Sequence, residues 1–170
     1  MAPRKPEESS LLTHIKNGAT LLEKQSKGNM LYKSIYHFVL ECGRHYKIRE
    51  SYPEELRKIP FMAGRCFANS QELIRSFPAI DLTYVEGYAS VEEEGECIII
   101  SGLHAWLLDG DQKVIDPTFP DEGIEYYGVP FNWDYVEEVT SQQPGASVIN
   151  QSPGFPLLAG TASGWRLAER

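Results

Sequence analysis

The sequence has no apolar run near the roughly 20 residues that span a bilayer, no Cys-x-x-Cys spacing and no block of clustered Lys or Arg. The first absence excludes a membrane-spanning helix. The second, with only three widely spaced cysteines (Cys42, Cys66 and Cys97), argues against a disulfide framework and for reduced thiols. The third argues against nucleic-acid binding, which needs a basic surface. After Arg4 and Lys5 the chain continues as Leu11-Leu12-Thr13-His14 rather than an apolar stretch, so a secretory signal is not expected and the cytosol is the expected compartment.

What is present describes an ordinary globular domain. At 170 residues, 42% of them apolar and 24% charged, the chain buries enough surface to fold without a metal or a disulfide. The net charge of −8 is unevenly spread: Met1 to Arg65 carries +5, and Cys66 to Arg170 carries −13. The acidic part repels a phosphate backbone and suits a cationic partner or a protein amine, unless the two parts simply offset each other on one solvated surface.

Periodicity places helices first. Leu11, Leu12, Ile15, Ala19 and Leu22 recur at helical spacing, with Gly28 closing the segment. Leu31, Ile35, Phe38, Val39, Cys42 and Tyr46 form a second stripe from about residue 29 to 49, in which Cys42 reads as a small core residue. Gly64-Arg65-Cys66 then turns into a short helix that ends before Pro78. Beyond it the texture becomes that of strands: 82–89, 97–101, 103–108 and 113–117, the last two joined by the turn signal Asp109-Gly110-Asp111. An aromatic loop from Phe119 to Trp133, a last strand near Tyr135 to Val139 and a loosely ordered tail over 141–170 complete the reading. The expected organisation is α+β: a helical extension over 1–28, then a domain over 29–140 in which N-terminal helices pack on an antiparallel sheet.

Cys66, His104 and Asp116 form the constellation with chemical potential. A cysteine at a helix start meets unpaired backbone N–H groups that favour the thiolate. A strand-borne histidine can hold that thiolate as an ion pair and later protonate a leaving group, while an aspartate fixes its tautomer. If residues 109–111 are the whole hairpin connection, Leu108 faces Gln112 and His104 lies directly opposite Asp116. An even-numbered connection without a bulge would put the two on opposite faces.

Gly64-Arg65-Cys66, Gly87-Tyr88, His104-Ala105-Trp106 and Asp116-Pro117-Thr118, in this order, resemble the transglutaminase-like branch of the papain-like thiol enzymes. The likeness covers about residues 60 to 135. It implies that fold, a Cys66 nucleophile, a His104 general acid/base, an Asp116 orienter, no cofactor, and acyl transfer through a thioester on a protein or peptide substrate. Relatives of that kind include transamidases, deamidases, thiol peptidases, glycoprotein amidases and inactive proteins, some of them delivered bacterial effectors, so the likeness fixes chemistry better than substrate.

The papain pattern has an oxyanion-hole glutamine six residues before the cysteine, where this chain has Pro60. The Cys66 backbone N–H then needs a second donor, with Asn69, Tyr84 and Trp106 as candidates. Asn69 reads equally well as a helix surface residue, and Trp106 as a wall of the site or plain core. His14, His37 and His45 read as surface residues. Two rivals come from other classes: a zinc site built from Cys66, Cys97, His104 and Asp116, and a catalytically silent binding module whose recognition surface is the aromatic stretch Tyr126 to Trp133. Thiol reactivity separates both from the enzyme reading.

Overall fold

The longest strand decides how the sheet closes. In the computed structural model, which describes residues 9–24 and 29–167, β2 (Thr83–Glu93) uses both of its edges. On one edge Thr83–Gly87 pairs with β4 (His104–Leu108) and Ser90–Glu93 with β3 (Glu96–Ile99), both antiparallel. On the other edge Tyr84–Val91 pairs with β6 (Gly123–Phe131). Strands β5 (Lys113–Ile115) and β1 (Arg44–Ile48) fill the space between β4 and β6, so the order β3-β2-β4-β5-β1-β6 returns to β2 as a barrel-like ring. The fold is mixed α/β.

The sheet is not wholly antiparallel as expected, because β1 and β5 run parallel, Ile48 opposite Val114. The reason is topological: the ring β2-β4-β5-β1-β6 has an odd number of members, and an odd ring cannot alternate direction at every pair. Side-chain alternation then divides the core in two. Inside the ring lie Tyr46, Val85, Ala89, Trp106, Leu108, Val114 and Tyr126. Outside it, Tyr84, Tyr88, Leu107, Val129 and Phe131 meet the apolar faces of the helices. The large indole of Trp106 fits inside because Gly87 and Gly128 face it; a Cβ at either would meet its ring.

Helix α1 (Ser10–Glu23) forms where the first stripe placed it, with the Ser9 hydroxyl accepting from the Leu12 N–H at 3.1 Å. Gly28 and residues 1–8 lie outside the described residues. Leu11 and Ile15 are fully buried in the same core as the sheet, and the Leu11 N–H donates to Glu125 of β6 at 3.3 Å. Helix α1 therefore shares one core with the sheet. The second stripe is only half helix. α2 (Ile35–Cys42) stops at Gly43, and Arg44–Ile48 continues as β1, sending Tyr46 into the ring.

Three further expectations give way to packing. The aromatic stretch is not a loop: Tyr126, Tyr127, Val129 and Phe131 are buried on β6. The stretch after it is α4 (Trp133–Thr140) and not a strand, because the Asn132 side chain accepts from the Asp134 N–H at 2.9 Å and caps a helix. The region after Thr140 is no loose tail either, although 168–170 lie outside the described residues. Glu86, fully buried on the outer face of β2, accepts from Val148 N at 2.6 Å, Ile149 N at 3.0 Å, the Ser147 hydroxyl at 2.7 Å and the Tyr84 hydroxyl at 2.8 Å. Val148 and Ile149 enter the core beside it, followed by the short α5 (Pro156–Ala159).

Shared burial predicts shared stability. Leu11→Ala should cost about 2–5 kcal/mol and lower one cooperative urea transition, the same by far-ultraviolet dichroism and by tryptophan fluorescence. Two separate transitions, or a sheet signal that does not move, would show α1 to be detachable.

Candidate active site

Helix α3 (Cys66–Ser76) starts one residue past the turn at Ala63 and Gly64, with Gly64 at φ +72°. No side chain caps its N-terminus, and the first internal bond runs from Asn69 N to Arg65 O at 2.8 Å. The N–H groups of Cys66, Phe67 and Ala68 are thus left pointing out of the first turn, around a partly buried thiol. One turn further on, the Ser70 hydroxyl donates to Ala105 O at 3.1 Å. That bond lays the start of α3 beside the start of β4, whose first residue is His104.

His104 and Asp116 meet in the ring's interior face. Their register differs from the expected one: Leu108 pairs with Val114 and Leu107 with Ile115, so continuing the ladder puts Asp116 opposite Trp106 and diagonal to His104. A shift of two residues keeps both side chains on one face, where a shift of one would have separated them. Nε2 of His104 and Oδ2 of Asp116 are 2.7 Å apart, and both residues are almost fully buried. The other carboxylate oxygen accepts from Thr118 N at 2.9 Å and Phe119 N at 3.2 Å, an Asx turn that Asp116-Pro117-Thr118 encodes locally.

Electrostatics follow from this arrangement. Burial by itself pulls the His104 imidazole down, but the charge of Asp116 and its hydrogen bond, joined by hydrogen bonding and charge from Cys66, push it up to about 9. With Nε2 committed to Asp116, Nδ1 is the ring nitrogen left for the thiol. Asp116 and Cys66 thus both favour the charged form of the His104 imidazole. Trp106 lies near-parallel to the imidazole at 6.1 Å and Phe119 leans on it at 5.5 Å, which keeps water from its faces.

Of the three side-chain donors proposed for an oxyanion, Asn69 and Tyr84 are committed elsewhere and Trp106 is shut inside the ring. The Asn69 amide donates to Met62 O at 2.9 Å and to the Thr118 hydroxyl at 3.1 Å, and its oxygen accepts from Met62 N at 3.1 Å. Far from being a helix surface residue, it ties the loop before Cys66 to the turn after Asp116. Tyr84 gives its hydroxyl proton to Glu86 and accepts from Gln71 at 3.3 Å. Trp106 is enclosed by the ring, and among the described residues nothing accepts from its Nε1. The first-turn N–H groups of α3 are the donors that remain beside Cys66. The zinc rival loses its fourth ligand: Cys97 is exposed on β3 opposite Glu92, while His104 is opposite Gly87, roughly 17 Å back along β2.

Two clefts flank the chain that leads to Cys66. One of about 570 Å³ is lined by Tyr52, Ile59, Phe61, Met62 and Pro120 among others, and one of about 310 Å³ lies on the α3 side with Ala68, Glu72 and Pro144. The chain matches no protein-family model, no curated protein and no solved structure. Sequence reasoning missed Tyr126, whose hydroxyl donates to Asp116 Oδ2 at 2.8 Å, and Gln71, which links Tyr84 to Ala146 O and Gly145 N. Alternation of Tyr126, Gly128 and Pro130 against Tyr127, Val129 and Phe131 was the available signal for the first.

The pair makes stability depend on pH. Because the folded-state pKa of His104 is raised above its ordinary 6.5 to about 9, its contribution is complete below 6.5 and disappears as the pH climbs through 9. The difference in unfolding free energy between the natural protein and Asp116→Asn should therefore be largest in mild acid and shrink toward alkaline pH. A difference that stays flat over that range would mean His104 is not held as the cation.

Proposed function

We propose that the protein is a thiol-dependent amidase or acyl transferase that forms a thioester on Cys66 from a glutamine-type side-chain amide of a protein substrate. The observation that carries this reading is the buried His104–Asp116 pair at 2.7 Å, with Cys66 acting on the same imidazole from an uncapped helix start. The resemblance in Gly64-Arg65-Cys66, His104-Ala105-Trp106 and Asp116-Pro117-Thr118 supports it, as part of a papain-like, transglutaminase-like arrangement.

In the proposed reaction the Cys66 sulfur attacks the amide carbon and the first-turn N–H groups of α3 receive the developing oxyanion. The C–N bond then breaks as His104 gives its proton to the departing ammonia. Water or a primary amine next attacks the thioester while His104 takes up its proton, releasing a carboxylate or a new amide and restoring the thiol. Asp116 keeps its charge throughout and holds the ring. The aromatic stretch that would have shielded the thioester is buried in β6, so that argument for an amine over water as the acceptor falls away. The two clefts beside Ile59–Met62 suit an extended chain, which supports peptide-bond cleavage as the second reading. With its aromatics in the core, the silent binding module loses the surface it was assigned.

Iodoacetamide at roughly pH 6, below an ordinary thiol pKa, should alkylate Cys66 ahead of Cys42, which donates to the Tyr32 hydroxyl at 3.2 Å, and ahead of exposed Cys97. His104→Ala should remove that preference. Incubation with a mixed protein substrate and a labelled primary amine then separates the reactions by mass spectrometry. Deamidation or amine incorporation at glutamines, abolished by Cys66→Ala, is the expected result; new peptide termini with intact glutamines would assign a thiol peptidase. Equal alkylation of all three cysteines would overturn the thiol chemistry altogether.

A further inference from the structure

The oxygen of Asp116 that faces His104 has a second partner. Tyr126, 1% exposed on β6, donates its hydroxyl to Oδ2 at 2.8 Å, the same atom that lies 2.7 Å from His104 Nε2. With Thr118 N and Phe119 N on Oδ1, four donors surround the carboxylate. The ring of Tyr126 stands edge-on to Trp106 at 5.1 Å, and Trp106 lies against the imidazole, so one side chain braces both the carboxylate and the wall behind the histidine. The chain makes room for it: a Cβ at Gly123, three residues earlier on the same strand, would collide with the Tyr126 hydroxyl.

We infer that Tyr126 is a positioning residue of the candidate active site, whose hydroxyl fixes the Asp116 carboxylate and tempers the charge it presents to His104. A hydrogen-bond donor on a carboxylate spreads its charge, and here the donor competes with the imidazole for one oxygen. The competition operates at every working pH, since burial and then the charge of Asp116 push the phenol far above its ordinary range. The other titratable groups facing this network are Cys66 toward His104, Tyr52 toward Asp116 and Glu122 toward Tyr126. The consequence for catalysis rests on the acyl-transfer reading; the effect on His104 does not.

The test is a ring-nitrogen NMR titration of His104 in the full chain. Tyr126→Phe keeps the ring against Trp106 and removes only the hydroxyl, and it should raise the His104 midpoint by about one pH unit, a tenfold change in the protonation equilibrium. Site-specific 3-fluorotyrosine at position 126, a stronger donor of the same shape, should move the midpoint down. A brace with no electrostatic role would not give opposite signs. An unchanged or lowered midpoint in folded Tyr126→Phe overturns the inference, and if that variant does not fold, an unchanged midpoint with the fluorinated side chain does so. Alkylation of Cys66 no faster than of Cys42 and Cys97 would defeat the thiol chemistry while leaving the midpoint shifts in place, so the two failures are distinguishable.

Discussion

The carboxyl of Asp116 and the imidazole of His104 are buried side by side, and much of the structure is arranged around that cost. Removing two charges from water is expensive unless their remaining hydrogen-bonding capacity is met by the protein. Asp116 is met on both oxygens, by a turn that follows it directly in sequence and by Tyr126 from the far side of the ring. The ring has to close for that to happen. β6 reaches Asp116 only because it pairs with β1 on one edge and with β2 on the other.

A second buried carboxylate organises the opposite face of the sheet. Burial pushes Glu86 above the usual carboxylate range, against the pull of Val148 N, Ile149 N, Ser147 and Tyr84. Its partners hold the C-terminal segment, and Gln71 joins that segment to the helix that begins at Cys66. Asn69 does the same toward the other side, joining the helix to the turn after Asp116. The helix that begins at Cys66 is thus fixed on both sides, through Asn69 and, two residues on, Gln71. Preorganisation of this kind matters because a misplacement of about 1 Å between nucleophile and base is costly in rate.

The parts of the site that were legible are those that local chemistry specifies. Gly64 and the missing cap residue before Cys66 mark a helix start with free N–H groups, and Asp116-Pro117-Thr118 encodes its own Asx turn. The face shared by His104 and Asp116 followed from alternation, and it survived a two-residue error in register because the period of a strand is two. The oxyanion candidates failed for a different reason. Whether Asn69 or Tyr84 is free depends on partners 7 to 49 residues away or on the same strand, and Trp106 is enclosed by closure of the ring.

By itself the sequence determined α1, α3, most of the strands and the face that His104 shares with Asp116, since periodicity and turn chemistry act over a few residues. Tertiary structure decided the rest. An apolar stripe that runs through Gly43 is compatible with helix or strand, and only the place between β5 and β6 made Arg44–Ile48 a strand. The aromatic stretch and the Gly-, Ser- and Pro-rich segment after Thr140 read as loop and tail because nothing local orders them. Closure of the ring around Trp106 buried the first, and the carboxylate of Glu86, more than sixty residues away from Ile149, ordered the second.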